Sequence, residues 1–251
     1  MNPRPFSGAF AAATLASLML AGCGGGGTST SDPSLTANAD SSWTWSLPVN
    51  FPTPAVPADN PMSEDKFQLG RRLFYDKRLS GNGTQACASC HLQNLAFTDG
   101  KAVSTGSTGE ATARSAMGIA NSVYHPTLTW ANPTLTSLEK QMEVPLYGTS
   151  PVEMGINDAN KAAVLKRFQD DTDYPARFAR AFPGDSQPLS FANIIKAIAT
   201  FQRGVLSGES RYDRYQKGLA TLTASEERGR NLFFTEKAEC FHCHGGFNFS
   251  F

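Results

Sequence analysis

The sequence predicts a mostly α-helical protein in which one structural unit occurs twice. Strand signals are few in the 251 residues, because no hairpin turn lies between runs of alternating apolar and polar residues. Two helices begin with capping residues: Ser63 is followed by Glu64 and Asp65, and Thr223 is followed three positions later by Glu226. Each helix is predicted to lead through a short loop into a cysteine motif of the same kind.

The stretches within these two helices resemble each other residue by residue. Residues 69–75 are LGRRLFY, and residues 228–234 are RGRNLFF. Pairing Gly70 with Gly229 also pairs an arginine, a leucine and two aromatic positions, which indicates an internal duplication. Helical spacing after Ser190 predicts a further helix between the units. Its apolar stripe, expected in the core, comprises Phe191, Ile194, Ile195, Ile198, Phe201 and Val205.

The composition excludes some classes of function. The 22 basic and 22 acidic side chains balance, so the chain lacks the overall basic field that favours nucleic-acid binding. The 17 Phe, 6 Tyr and 3 Trp are far more than a disordered chain carries. We therefore expect a folded protein with no nucleic-acid partner.

Residues 1–22 are predicted to be an export signal. Arg4 supplies a positive start, and residues 9–20 form an apolar run too short to cross a bilayer. The run ends in Leu-Ala-Gly-Cys, which resembles the lipobox of bacterial lipoproteins, so Cys23 is expected to carry a lipid. An ordinary cleaved signal peptide is the alternative. Both interpretations predict export, and the lipobox predicts a periplasmic protein that contacts a bacterial membrane only through its lipid.

The remaining cysteines occur only in two copies of one motif. Residues 87–91 are CASCH and residues 240–244 are CFHCH, so both follow the pattern C-x-x-C-H. Two thiols at this spacing can add across the two vinyl groups of a haem, and the histidine that follows can ligate its iron. The motifs thus predict two covalently bound haem c groups. The predicted attachment residues are Cys87, Cys90, Cys240 and Cys243.

Two other kinds of site also use paired cysteines. A zinc site with four thiolate ligands contains two C-x-x-C pairs, but it gives no reason for a histidine directly after each pair. Disulfides or redox-active dithiols suit an oxidising compartment, yet they leave both histidines unexplained as well. Haem attachment accounts for the histidines, and it agrees with export because c-type haem is attached outside the cytoplasm.

The motifs and the composition divide the chain after the signal. Residues 23–61 are rich in Gly, Ser, Thr, Asn and Pro, which predicts a flexible tether. Residues 62–160 are predicted to form a first cytochrome-c-like haem domain, and residues 161–222 a connecting helical region. Residues 223–251 begin a second haem domain. We expect that domain to be truncated, because only seven residues follow His244 and a haem needs further helices to cover it.

From about Phe67 to its end, the sequence resembles the bacterial di-haem cytochrome c peroxidases and the related MauG enzymes. The segment at residues 144–148, VPLYG, is most similar to the branch of methanobactin-associated MauG-like enzymes. The order and spacing of the matching segments make the resemblance more specific than either haem motif alone. Those segments are residues 70–76, 97–100, 104–106, 137–141, 151–155, 210–215 and 243–246.

The resemblance implies roles for five residues. His91 would be the proximal ligand of a first haem that reacts with peroxide, and His244 that of a second haem that stores electrons. Trp130 would lie between the two haems. Gln141 and Glu153 would line the pocket above the first iron, where Glu153 would move the peroxide proton between the two oxygens.

Two positions, Ser107 and Ser115, depart from what the resemblance implies. Many family members place a histidine that caps the first iron where this chain has Ser107, so we expect that haem to be open without reductive activation. His125 is the one histidine outside the two motifs, and Tyr-His-Pro favours a loop residue over a ligand. Ser115 replaces an asparagine that helps to hold calcium, so calcium is allowed rather than expected.

Three functions remain compatible with the sequence. A peroxidase would reduce hydrogen peroxide with electrons from a small periplasmic cytochrome or cupredoxin. A MauG-like oxidase would instead withdraw electrons from a Trp or Tyr of a protein substrate, which Ser107 and the segment at 144–148 favour. A non-enzymatic electron carrier would have two six-coordinate irons, and Glu153 would then have no catalytic role.

Overall fold

The structure is a computed structural model that describes residues 42–130 and 132–250. The predicted signal peptide at residues 1–22, the lipobox Cys23 and the tether up to residue 41 lie outside the described residues. In the described ranges the chain is mostly helical, as predicted, with three isolated β-bridges and no strand. None of these helices is long and apolar enough to span a membrane. The α-helices are α1 (Glu64–Phe74), α2 (Leu138–Tyr147), α3 (Lys161–Gln169), α4 (Tyr174–Ala181), α5 (Phe191–Arg203), α6 (Arg211–Gln216) and α7 (Ala224–Phe233).

The predicted capping residues begin their helices. The Ser63 hydroxyl accepts a hydrogen bond from the Lys66 backbone N–H at 3.3 Å and starts α1. At α7 the Thr223 hydroxyl accepts from the Glu226 N–H, and the Glu226 carboxylate accepts from the Thr223 N–H at 2.6 Å. The capping box predicted from the sequence is therefore confirmed.

Helix α5 lies at the centre of the core and packs mainly against α1. Ile194 and Ile198 are fully buried, and Phe201 is nearly so. Gly70 of α1 makes this approach possible, because a Cβ atom there would lie 1.9 Å from the Ala197 carbonyl oxygen. Residues 161–222, predicted to be a connecting helical region, thus contain the central helix of this core.

Residues 42–61, which the composition assigns to the tether, pack on the folded body. The Trp43 ring lies 5.0 Å from the Phe67 ring of α1. Further along, the Phe51 ring contacts Tyr124 at 5.7 Å and Phe247 at 5.0 Å. Burial of aromatic surface explains why this segment is ordered despite its polar composition. The last part of the predicted tether, residues 42–61, thus contacts the folded body through these rings.

A buried polar cluster joins this segment to three helices. Asn60 and Arg203 both donate to Oε1 of Glu139, at 2.7 Å and 2.6 Å. Lys66 of α1 donates to the Asn60 side chain at 3.0 Å. Arg203 is 2% exposed and Lys66 5%, so the cluster holds charges away from water. Through Asn60, the cluster joins residues 42–61 to side chains of α1, α2 and α5.

Candidate active site

One cavity of about 410 Å³ gathers most of the residues predicted to be functional. Its volume lies within the range of about 300–1,000 Å³ that is typical of small-molecule and cofactor sites. The predicted residues that line it are Cys87, Cys90, His91, Trp130, Gln141 and Glu153. Residues that are distant in sequence thus share one site, although the sequence alone assigns their roles only by resemblance.

The first haem motif forms one wall of the cavity. Residues 87–89 form a 3₁₀ turn, and the loop before it is held by Arg167 of α3, which donates to the backbone carbonyls of Arg78, Ser80 and Gly81 at 2.7–2.8 Å. The His91 Nδ1 atom lies 2.8 Å from the Phe97 carbonyl oxygen. A carbonyl can only accept, so the ring donates through Nδ1–H and leaves Nε2 available for a metal.

The four cysteines of the two motifs have free thiols in the structure. All four motif thiols are free of disulfides. In the described part of the chain, no group of three or more His, Cys, Asp or Glu side chains is placed to hold a metal ion. Burial raises the pKa of the Cys87 thiol to about 12, and burial also raises the pKa of Cys90. Both thiols of the first motif are therefore protonated at neutral pH.

Helix α2 and the segment after it bring Gln141 and Glu153 to the same cavity. Gln141 lies in the middle of α2, whose N-cap is Ser137. After the helix the chain turns back, and the Met154 N–H donates to the Pro145 carbonyl at 2.9 Å. A second bond joins Ile156 N–H to the Leu146 carbonyl. These bonds fix the position of Glu153 relative to the helix that carries Gln141.

Glu153 lies in a partly buried position that favours its neutral form. Burial raises the pKa of Glu153, and within the described residues no cation or hydrogen-bond donor pairs with its carboxylate. It is also the single acidic side chain among the described residues that line the cavity. Such a carboxyl group can hold a proton at a pH where an exposed glutamate has lost it.

Trp130 lies at the edge of the cavity and is 49% exposed. Thr129 and Trp130 have positive φ angles of 51° and 53°, which are strained for side chains of this size. The Trp130 backbone N–H donates to the Met117 sulfur at 3.3 Å, and the Arg114 guanidinium lies 5.0 Å from the centre of the indole ring. The indole is thus held at the mouth of the cavity by specific contacts.

Several buried polar atoms in the cavity wall have no partner within the described residues. They belong to Ser104, Ser122, Thr129 and Gln202. A buried polar atom that lacks a hydrogen bond is unfavourable, so a bound group with polar edges fits this wall. The two thiols, a histidine with a free Nε2 and these polar atoms together fit a covalently attached haem.

Sequence reasoning missed two residues of this cavity. His125 follows a 3₁₀ turn and is a loop residue, as predicted, but it also lines the cavity and is half-buried there. Gln202 follows the apolar stripe of α5 and is 5% exposed. The sequence does contain a signal for the burial of Gln202. Residues 197–202 carry no charged side chain, which is typical of a helix end that is buried on every side, as this one is.

The second haem motif does not contribute to this cavity. Cys243 and His244 are exposed, and Cys240 is partly buried. Its local geometry repeats that of the first motif: residues 240–242 form a 3₁₀ turn, and the His244 N–H donates to the Cys240 carbonyl at 2.9 Å, as His91 does to Cys87 at 3.0 Å. His244 Nδ1 likewise faces a carbonyl, that of Phe249, at 3.3 Å.

Comparison with known proteins places this chain in a family. The family model described as di-haem cytochrome c peroxidase matches residues 64–221, which include every described residue that lines the cavity. The chain belongs to the di-haem cytochrome c peroxidase family. This membership confirms the family predicted from the motifs, and it implies haem c as the cofactor.

Curated relatives and solved structures agree with this family. The chain is 40% identical to cytochrome-c peroxidase IdrP1 of Denitromonas iodatirespirans over 78% of its own length and 50% of that protein. It is 31% identical to the methylamine utilization protein MauG of Methylorubrum extorquens, over 86% of this chain and 60% of MauG. The chain therefore spans about half the length of the curated relatives it matches.

A crystal structure described as a MauG-like protein associated with microbial copper homeostasis is also similar. It superposes with a TM-score of 0.80 and 61% sequence identity, covering 83% of this chain and 61% of that protein. The mostly helical fold is thus confirmed as the fold of a MauG-like member of the family.

Proposed function

We propose that this chain belongs to an exported di-haem c-type enzyme that activates hydrogen peroxide at the first haem motif. The observation that carries the proposal is the shared cavity: Gln141 and Glu153 line the same space as Cys87, Cys90 and His91. The second motif would hold an electron-transfer haem that receives electrons from a protein donor. Residues 1–23 support export and a lipid anchor in the periplasm.

The residues of the first motif would hold the haem in a fixed orientation. Cys87 and Cys90 would form thioether bonds, and His91 would ligate iron through Nε2 while its Nδ1–H stays bonded to Phe97. When bound, haem supplies the electrons that cleave the O–O bond of peroxide. The same contacts would keep the ring of His91 from rotating during turnover.

The protein supplies the proton chemistry on the other side of the cavity. Glu153 would take the proton from one peroxide oxygen and deliver it to the other, a role that needs a carboxyl group with a raised pKa. The Gln141 amide would hold the peroxide by donating a hydrogen bond from its NH₂ group. Met142, Pro145 and Met154 line the same space and would limit the access of water.

The test uses the full-length, haem-loaded protein. Mass spectrometry of its peptides should find one haem at residues 87–90 and one at residues 240–243. Peroxide consumption with a reduced small cytochrome or cupredoxin should then fall by about 10–100-fold in Gln141→Ala, as for loss of a positioning group. Lys140→Ala is the matched control, because Lys140 is exposed on the same helix. If the haem-loaded protein never reacts with peroxide, both enzymatic functions are excluded and only the function of an electron carrier remains.

A MauG-like oxidase is the second candidate. The 61% identity to a solved MauG-like protein supports it, and Trp130 is half exposed at the cavity mouth, where a protein substrate could approach. Under this function, peroxide alone should leave the protein able to oxidise a Trp or Tyr of a partner. Fast multiple turnover with a small cytochrome, and no oxidation of a protein substrate, would favour the peroxidase.

A further inference from the structure

Three polar side chains from two elements form one part of the cavity wall. Ser122 and His125 come from the loop around the 3₁₀ turn at residues 122–124, and Gln202 comes from the end of α5. Ser122 is 7% exposed and Gln202 5%, and neither the Ser122 hydroxyl nor Oε1 of Gln202 has a partner in the described residues. The proposed peroxide chemistry uses none of the three.

The loop that carries two of them is fixed to the chain that follows α5. The Asn121 backbone N–H donates to the Val205 carbonyl at 2.9 Å. The Asn121 side chain makes two more bonds, donating to the Ser207 carbonyl at 2.7 Å and accepting from the Ser207 N–H at 2.8 Å. The turn also packs against α5. Ser122 and His125 are therefore held in place beside Gln202.

The chemistry of this group suits a carboxylate. A serine hydroxyl, a neutral imidazole and a primary amide can each donate a hydrogen bond, and a half turn of the amide exchanges its oxygen for its NH₂ at the same place. Glu153 is the one acid among the described residues that line the cavity, and its carboxyl group interacts with the thiols of Cys87 and Cys90 rather than with this group. A carboxylate would accept a hydrogen bond from the unpartnered Ser122 hydroxyl and, after that half turn, from the NH₂ group of Gln202.

We propose that Ser122, His125 and Gln202 form a carboxylate-binding subsite, and that its occupant is a propionate of the haem attached at Cys87 and Cys90. The inference rests on the proposed attachment of haem there. Thioether bonds form at the vinyl edge of a haem, and the propionates lie at the opposite edge. The cysteines thus anchor one edge of the ring, and the subsite receives the other.

The test is resonance Raman spectroscopy of the full-length, haem-loaded protein, with the midpoint potential of each haem as a second measurement. Ser122→Ala and Gln202→Met each remove a donor with little change of shape. Each substitution should move the propionate-bending band of the first haem to lower wavenumber, because the propionate accepts one hydrogen bond fewer. Each should also lower the midpoint potential of that haem, because fewer donors offset the negative charge of the propionate. The bands and potential of the second haem should stay unchanged.

Ser104→Ala is the matched control. Ser104 is 3% exposed and lines the same cavity, but its hydroxyl lies beside the Cys90 thiol and not beside Ser122, His125 or Gln202. This variant should leave the propionate band in place. If the propionate-bending band has the same position in the wild type, Ser122→Ala and Gln202→Met, the proposed subsite is wrong.

Two further outcomes separate the possible sources of the carboxylate and the two proposals. Acetate added to the wild type should not change the Raman spectrum. If acetate instead binds saturably to the wild type and not to Gln202→Met, the site takes a free carboxylate and not a propionate. Mass spectrometry of the same samples settles the underlying attachment. A wild type with no haem at residues 87–90 would overturn the proposed function together with the subsite.

Discussion

The backbone N–H of Ser107 donates to the backbone carbonyl of Glu153 at 2.7 Å. A second bond joins the two segments, because the Glu110 carboxylate accepts from the Val152 N–H at 3.0 Å. The family resemblance predicts that Ser107 stands where many members have an iron-capping histidine. In this chain the loop at residues 104–112 instead supports the segment that carries the proposed acid–base residue.

Gly106→Ala should disturb this support. A Cβ at Gly106 would lie 1.8 Å from the Val152 carbonyl oxygen, so the Glu153 segment would have to move. We expect the free energy of unfolding to fall by about 1–3 kcal/mol, measured by chemical denaturation, and the peroxide rate to fall with it. Gly229→Ala is the control, because nothing lies within 4 Å of its Cβ position. Equal losses in both variants would contradict the close contact.

Glu153→Gln should slow the reaction with peroxide without unfolding the protein. Glutamine has nearly the same shape but cannot carry a proton, so we expect a loss of roughly two to four orders of magnitude in the rate measured by stopped-flow spectroscopy. Glu143→Gln, on the exposed side of α2, should react like wild type. An unchanged rate in Glu153→Gln would remove this carboxyl group from the mechanism.

Glu139→Gln should destabilise the protein strongly. The substitution leaves the Arg203 guanidinium buried without its counter-charge, and loss of one partner from a buried pair costs about 3–5 kcal/mol. Lys166→Ala breaks an exposed pair with Asp170 and should cost at most about 1 kcal/mol. Denaturant titration of both variants measures the difference. Similar small losses would show that the Glu139–Arg203 pair contributes little to stability.

The buried Lys66 should make stability depend on pH in the alkaline range. Burial lowers its pKa from 10.5 to about 8, and the nearby Lys196 and Arg203 charges add to the effect. Between these values only the unfolded chain holds the proton, so the free energy of unfolding should rise as pH increases from 8 to 10.5, by at most about 1.4 kcal/mol per pH unit. Lys66→Met should remove this rise. Parallel pH curves for the two proteins would contradict the low pKa.

Local sequence signals predicted much of this structure. Ser63, Ser190 and Thr223 begin helices because a cap needs only a side-chain oxygen near the next turn, which is a local property. The C-x-x-C-H motif places its thiols and imidazole together within one turn. The first motif could therefore be located from spacing alone.

Long-range packing decided what the sequence could not predict. Gln202 and Ser122 meet at one cavity because the loop after residue 121 packs on α5, and no local pattern encodes that contact. Trp43 and Phe51 find aromatic partners on the body, although the composition around them is typical of a tether. The roles of Gln141 and Glu153 depended on the family resemblance, because neither residue lies in a motif of its own.

The central claim is that the first motif, Gln141 and Glu153 form one peroxide-reactive haem site. Its most direct test is an optical and EPR titration of the full-length, haem-loaded ferric protein with hydrogen peroxide and no reductant. We expect a high-spin ferric signal that disappears with about one equivalent of peroxide, as for a two-electron oxidation at a haem with an accessible iron. A spectrum that is entirely low-spin, and that peroxide leaves unchanged, would contradict the claim.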